Sequence, residues 1–228
     1  MSMQERIRLV ESRIAQACER SGRSREQVNV IAVTKYVSLE TARAAVDAGL
    51  RHVGENRWQD AQAKWESIGT DAVWHFIGHL QSNKVKDVVG KFAYIHSLDR
   101  LSLAKELDRQ AEKQGITVDC FVQVNVSGEE SKHGLAPEQL LPFAEQLAAY
   151  PRIRVVGLMT MAPYEAEAEA TRPVFRGLRE LRDRLNASGA LGYGVEHLSM
   201  GMSGDFEVAI EEGATWIRLG TVLVGKEG

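Results

Sequence analysis

Lys35 and two glycine–hydroxyl stretches near the carboxyl end are the residues of this chain best suited to chemistry. Lys35 stands two residues beyond the β-branched run Val28-Asn29-Val30-Ile31-Ala32-Val33. A lysine at the rim of a buried strand is partly desolvated, which favours the neutral amine that condenses with a carbonyl to a Schiff base. Ser199-Met200-Gly201-Met202-Ser203-Gly204-Asp205 combines two hydroxyls, two glycines and a fresh helix start. Backbone N–H groups in such a turn point outward, and the helix dipole favours negative charge, so the stretch suits an anion. Arg218-Leu219-Gly220-Thr221 adds another glycine, another hydroxyl and an arginine able to point inward. A surface lysine and a plain glycine-rich turn look the same locally, so the surrounding elements must decide.

Those elements alternate almost from end to end. A helix is expected over about Gln4 to Arg20, stopping near Gly22, and then a strand over Val28 to Val33. Ser38 caps a helix that ends at Gly49. The next strands are His52 to Gly54 and Val73 to Gly78, followed by helices at Arg57 to Ser67 and Asn83 to Val89. Tyr94 to Ser97 is the fourth strand, and Asp99 caps a helix to Gln114 that Gly115 closes. Asp119 to Val126 and Ile153 to Met161 are strands, with helices at Pro137 to Ala149 and Glu167 to Ala187. The last of these presents Val174, Leu178, Leu181 and Leu185 as an apolar stripe. Glu196 to Met200 and Trp216 to Leu219 complete the strands, with a helix over Asp205 to Glu212 between them.

Eight such units with no long Pro/Gly/Ser linker predict an α/β fold, a single (β/α)8 TIM barrel with an extra N-terminal helix, occupying residues 1–228 as one domain. A doubly wound sheet is the alternative, but no G-x-G-x-x-G follows a strand. In a barrel, the loops after the strands carry the chemistry, and the loops after strands seven and eight often hold phosphate. Lys35 and both glycine–hydroxyl stretches fall on such loops.

Composition narrows the class. The balance of 28 Lys+Arg against 31 Asp+Glu, net −3, argues against a nucleic-acid binder, which would carry a basic excess. Hydrophobic residues at 44% exclude a disordered chain, and no apolar run is long enough to span a membrane. The N-terminus has no secretory pattern. Cys18 and Cys120 form no C-x-x-C pair and read as small core residues of a reduced, cytoplasmic protein. His75-x-x-x-His79 would span about 13 Å along a strand, too far to share one zinc, so no metal is expected. Arg172, Arg176, Arg179 and Arg182, interleaved with Glu180 and Asp183, read as a solvated helix face, with a docking surface as the alternative.

Lys35 and the C-terminal loops together call for a ligand bearing both a carbonyl and a phosphate. Pyridoxal 5′-phosphate fits, and so does a phosphorylated sugar on a Schiff-base aldolase.

Longer stretches carry a resemblance. Ala32-Val33-Thr34-Lys35, Gly54-Glu55-Asn56, His75-Phe76-Ile77-Gly78-His79-Leu80-Gln81-Ser82-Asn83-Lys84 and Gln123-Val124-Asn125 stand in the first half. Lys132-His133-Gly134, Gly157-Leu158-Met159-Thr160-Met161, the Ser199 to Asp205 stretch and Arg218-Leu219-Gly220 follow in the second. In these residues and in their order, the chain resembles the pyridoxal phosphate homeostasis (YggS/PROSC) family. The resemblance implies a barrel like the N-terminal domain of alanine racemase, with Lys35 as the covalent attachment point of pyridoxal 5′-phosphate. It further implies that Ser199, Ser203, Gly204, Gly220 and Thr221 surround the phosphate, Arg218 faces the pyridine nitrogen, and Asn56 lies beside the ring.

An arginine at that nitrogen disfavours its protonation and weakens the ring as an electron sink. Racemases of related fold add a tyrosine base from a second domain. This chain ends at Gly228, just past the eighth strand, so that base is expected to be absent unless His79 or Tyr36 substitutes. The expected role is therefore to bind, buffer or deliver the cofactor, with effects on amino-acid and keto-acid pools and no substantial turnover. A racemase or decarboxylase on the same barrel is the alternative. PLP-dependent apoenzymes are the expected recipients; no nucleic-acid or membrane partner is expected, and a closed barrel alone leans to a monomer.

Overall fold

Short β-branched runs too brief for helices become the staves of a closed barrel in the computed structural model, which describes residues 1–130 and 132–227. The strands are β1 (Asn29–Val33), β2 (His52–Glu55), β3 (Val73–Phe76), β4 (Tyr94–Leu98), β5 (Val118–Gln123), β6 (Ile153–Met159), β7 (His197–Ser199) and β8 (Trp216–Leu219). They pair in parallel in chain order, and β8 closes on β1 with Ile31 opposite Arg218. This is a TIM barrel, as expected.

One helix precedes the barrel and one follows each strand: α1 (Met3–Ser21), α2 (Leu39–Asp47), α3 (Trp58–Ile68), α4 (Val85–Val88), α5 (Leu101–Gln114), α6 (Leu140–Gln146), α7 (Arg172–Ser188), α8 (Phe206–Glu211) and α9 (Thr221–Val224). Ser2 and Glu5 form a capping box at the start of α1, and Gly22 ends it at φ 67°. Arg13 and Arg20 pair with Glu207 and Glu211 of α8 at 2.6 and 2.7 Å, while Arg6 donates to the Leu223 carbonyl of α9. These contacts lay the extra helix along the last two helices. No described helix is long and apolar enough to cross a membrane.

Three local expectations are corrected. Asp99 does not cap α5; Arg100 holds the cap position, and the Asp99 carboxylate accepts the Gly134 N–H at 3.1 Å and pairs with Arg100. The α7 stripe is Phe175, Leu178, Leu181 and Leu185, with Val174 only partly buried. Nor is the arginine face of α7 merely solvated. Arg172, Arg176 and Arg179 converge on Glu212 at 3.4, 3.1 and 3.0 Å, binding α7 to the end of α8. Burial alone would raise the Glu212 carboxyl, but its hydrogen bonds from Arg176 and Arg172 and the surrounding cations hold it below the ordinary carboxylate range. Both cysteines are buried and free.

The core has two compartments. The larger lies between strands and helices; a smaller one, Ile31, Phe121, Met159 and Trp216, lines the inside of the barrel. Phe121 fits because residue 157 is glycine: a Cβ there would lie 2.5 Å from the His197 carbonyl oxygen and 2.6 Å from the Phe121 ring. The β5–β6 register shifts at this point, between Cys120 and Phe121.

Candidate functional site

The position of Lys35 is set by the residue before it. Thr34 is fully buried; its hydroxyl donates to Glu55 Oε1 at 2.8 Å, and its carbonyl accepts from Lys64 Nζ at 2.6 Å. Thus β1, β2 and α3 meet under the turn that carries Lys35. Ser38 then caps α2, its Oγ accepting the Thr41 N–H, while the Glu227 carboxylate accepts the Ser38 N–H at 2.7 Å. Lys35 is half-buried, with Nζ 4.8 Å from the centroid of the Tyr36 ring.

Across the barrel mouth, the loop after β7 folds on Asp205, whose carboxylate accepts the Met202 N–H at 2.7 Å. Burial raises the Asp205 carboxyl, an effect partly offset by that bond and by Arg218. The Gly220 N–H donates to Ser203 Oγ at 3.3 Å, tying this loop to the one after β8. No backbone carbonyl among the described residues accepts from the N–H groups of Ser203, Gly204, Thr221 or Val222. A Cβ added at Gly204 would meet nothing within 4 Å. Four unpaired N–H groups at one rim make a cradle for a multiply charged anion.

The floor is Arg218, only 4% exposed. One guanidinium nitrogen donates to Ser199 Oγ at 2.6 Å and another to the Thr160 carbonyl at 3.0 Å. Burial lowers its pKa to about 10, with Asp205 acting the other way, so it stays charged at neutral pH. No carboxylate among the described residues forms an ion pair with it. A buried, unpaired guanidinium is costly, and its remaining donors call for an acceptor from outside the chain. The space above it is a cavity of about 450 Å³, lined by Lys35, Ser203, Gly204, Arg218, Gly220 and Thr221. That volume suits a small cofactor.

Six of the eight residues expected at the site therefore share one cavity. Ser199 lies beneath it, fully buried against Arg218, and does not line the space where it was expected to meet phosphate. Asn56 lines an adjacent pocket of about 370 Å³, together with Arg57, His79 and Lys84. Sequence reasoning missed Tyr164, which is 88% exposed at the mouth, and the Thr160 carbonyl. It also missed a column of histidines inside the barrel: His52, His75 and His96 are joined ring to ring, and His96 is joined to Ser199. His75 and His79 do not share a strand face, because β3 ends at Phe76. His79 instead stacks on His133 at 4.0 Å beside Asp99, whose carboxylate already serves Arg100 and Gly134.

Comparison with known proteins agrees with this architecture. Residues 10–227 match the family described as alanine racemase, N-terminal domain. The chain is 47% identical over 227 residues to the pyridoxal phosphate homeostasis protein of Aquifex aeolicus, covering 99% of each. It is 35% identical over 224 residues to the protein of that name from Escherichia coli, covering 95% of this chain and 93% of that one. Among solved structures, PipY of Synechococcus elongatus with PLP bound superposes with a TM-score of 0.86 at 36% identity, covering 98% of this chain and 100% of that one. Alanine racemase of Clostridium difficile superposes with a TM-score of 0.73 at 15% identity, over 96% of this chain and 56% of that one, a likeness of fold.

Proposed function

This chain belongs to the pyridoxal phosphate homeostasis protein family, and we propose that its cavity holds pyridoxal 5′-phosphate between Lys35 and Arg218 for storage and release. The observation that carries the reading is the buried Arg218 guanidinium, with donors left over, facing a cavity that has an amine on its wall and free N–H groups at its rim. When bound, the cofactor supplies an aldehyde, an electron-withdrawing ring and a phosphate dianion. Lys35 is the covalent attachment point. Ser203, Gly204, Gly220 and Thr221 hold the phosphate, Ser199 supports Arg218 from below, and Asn56 flanks the ring.

The same residues argue against turnover. Arg218 is a donor that keeps its proton, so it opposes protonation of the ring nitrogen and leaves the ring a weak electron sink. Tyr36 and Tyr164, the phenols on this cavity, are 83% and 88% exposed, and neither hydroxyl is held by a hydrogen bond among the described residues. His79 lines the adjacent pocket. A base poised for repeated proton transfer needs firmer placement than either phenol has. We therefore assign the protein to buffering and delivery, with PLP-dependent apoenzymes as recipients, acting as a cytoplasmic monomer.

The test is an absorption spectrum of the purified chain titrated with pyridoxal 5′-phosphate, followed by borohydride reduction and peptide mass spectrometry. A visible band and a pyridoxyl mass on Lys35 are expected. Label scattered over surface lysines would sink the cofactor reading. Steady racemisation or decarboxylation of common amino acids would return the protein to the enzymes.

A further inference from the structure

Four hydrogen bonds in line connect the floor of the cavity to the opposite end of the barrel. Arg218 donates to Ser199 Oγ at 2.6 Å, and Ser199 Oγ lies 2.9 Å from His96 Nδ1. His96 Nε2 lies 2.9 Å from His75 Nδ1, and His75 Nε2 lies 3.0 Å from His52 Nδ1. Ser199, His96 and His75 are fully buried, whereas His52, the first residue of β2, is partly exposed at the amino-terminal end of the barrel. Barrel interiors are ordinarily filled by branched aliphatic side chains, so three imidazoles in file need a reason beyond packing.

The column has one direction. A guanidinium offers donors alone, so Ser199 Oγ accepts from Arg218 and its own hydrogen goes to His96 Nδ1. His96 must then carry its proton on Nε2 and donate to His75 Nδ1. His75 likewise donates from Nε2 to His52 Nδ1, which leaves the His52 Nε2–H at the open rim. All three rings are neutral, with the proton on Nε2. Burial, with a smaller push from neighbouring charges, holds His75 and His96 well below the ordinary imidazole value and His52 below it to a lesser extent, in keeping with that state.

We infer that His52, His75 and His96 are positioning residues for cofactor binding: through Ser199 they hold Arg218 toward the ring nitrogen, and the charge on His52 at the far rim sets how firmly. The inference rests on the reading of the cavity as a pyridoxal phosphate site.

The physical link is the count of donors. A proton added to His52 places Nδ1–H against His75 Nε2–H, two donors 3.0 Å apart. Turning every ring's donor over relieves that conflict but moves it to Ser199. Its oxygen would then accept from both Arg218 and His96, and its own hydrogen would have no partner in a dry core. Either outcome loosens the support of Arg218. The other groups that face the column are Arg51 beside His52, Tyr94 stacked on His75 at 4.7 Å, and Asp205 opposite Arg218. His197 lies beyond Trp216, with its Nδ1 on Thr215. None of them lies in the chain of bonds.

The experiment compares the full chain with His52→Gln, whose side-chain oxygen accepts from His75 but takes up no proton. Pyridoxal 5′-phosphate is titrated into each at several pH values, reading Kd and the visible absorption of the bound cofactor. The ratio of Kd at about pH 5.5 to Kd at about pH 8 is expected to be larger for the wild type than for the variant, by about two- to fivefold. Asp205 and His197 are the same in both proteins, so their contributions cancel. His96→Leu, which severs the column at Ser199, should bind about tenfold more weakly at pH 8 and show the same pH profile as His52→Gln. Should that variant fail to fold, the His52→Gln comparison still decides. Parallel pH profiles for wild type and His52→Gln, with binding intact, would overturn the inference. Absence of binding by the wild type at every pH would remove its premise instead, and the inference with it.

Discussion

Glu55 Oε1 accepts from the Lys64 ammonium at 2.9 Å in a place closed to solvent, with the glutamate fully buried and the lysine 6% exposed. The pair does more than neutralise itself. Lys64 also holds the Thr34 carbonyl, and Glu55 holds the Thr34 hydroxyl, so a residue of α3 fixes the backbone that carries Lys35. The remaining oxygen of Glu55 has no hydrogen-bond partner among the described residues, so this carboxylate depends heavily on Lys64.

Replacing Lys64 by Met should therefore destabilise the protein by about 3–5 kcal/mol, because it strands a buried charge. Urea denaturation at neutral pH measures this. The double variant Lys64→Met with Glu55→Gln should recover part of the loss, whereas an additive double variant would show that the pair is not coupled.

Stability should fall on acidification through the histidine range. Burial holds His75 and His96 well below 6.5 in the folded chain. The unfolded chain therefore binds more protons at any pH between those depressed values and 6.5, and stability rises with pH across that window. It is fully present above about 6.5 and is lost as pH falls, at about 1.4 kcal/mol per pH unit for each histidine. Urea midpoints at several pH values check the slope, and His75→Phe should reduce it by about 1.4 kcal/mol per pH unit.

The phosphate cradle makes a separable prediction. Ser203→Ala removes a hydroxyl at the rim and the acceptor of the Gly220 N–H, and should weaken cofactor binding by about three- to tenfold. The wavelength of the visible band should not change, since Lys35 is untouched. A shifted band with unchanged Kd would place Ser203 at the ring and not at the phosphate.

Lys35→Ala should abolish the visible band of the bound cofactor and any reducible label, yet leave binding through the phosphate that millimolar inorganic phosphate competes away. Retention of a borohydride-stable label in this variant would move the attachment point elsewhere.

Gly157→Ala places a methyl carbon 2.5 Å from the His197 carbonyl oxygen and 2.6 Å from the Phe121 ring. Backbone cannot yield as a flexible side chain does, so a loss of about 1–3 kcal/mol or more is expected in a thermal melt.

What local chemistry controls was legible from the residues themselves. Ser38 caps its helix, Gly22 and Gly115 end theirs in the left-handed region, and each of the eight strands overlaps a segment expected to be one. Lys35 and the glycine–hydroxyl loops follow strands because the alternation of elements puts them there. The alternation also predicts a barrel, since each strand needs a neighbour and each helix needs a face.

The partner that each inward side chain meets was decided by the closed tertiary structure. Strand period sets which face a residue occupies, but not what lies across the interior. His96 reaches His75 across 21 positions of sequence and Ser199 across 103, distances at which no local pattern reports a contact. The same holds for Asp99, drawn from its expected cap to Gly134 at a separation of 35, and for Arg176, which meets Glu212 at a separation of 36. Residue types and spacing determined where an amine and an anion cradle stand. Closure of β8 on β1 decided that Arg218 lies beneath them, on a column of imidazoles running to the other end of the barrel.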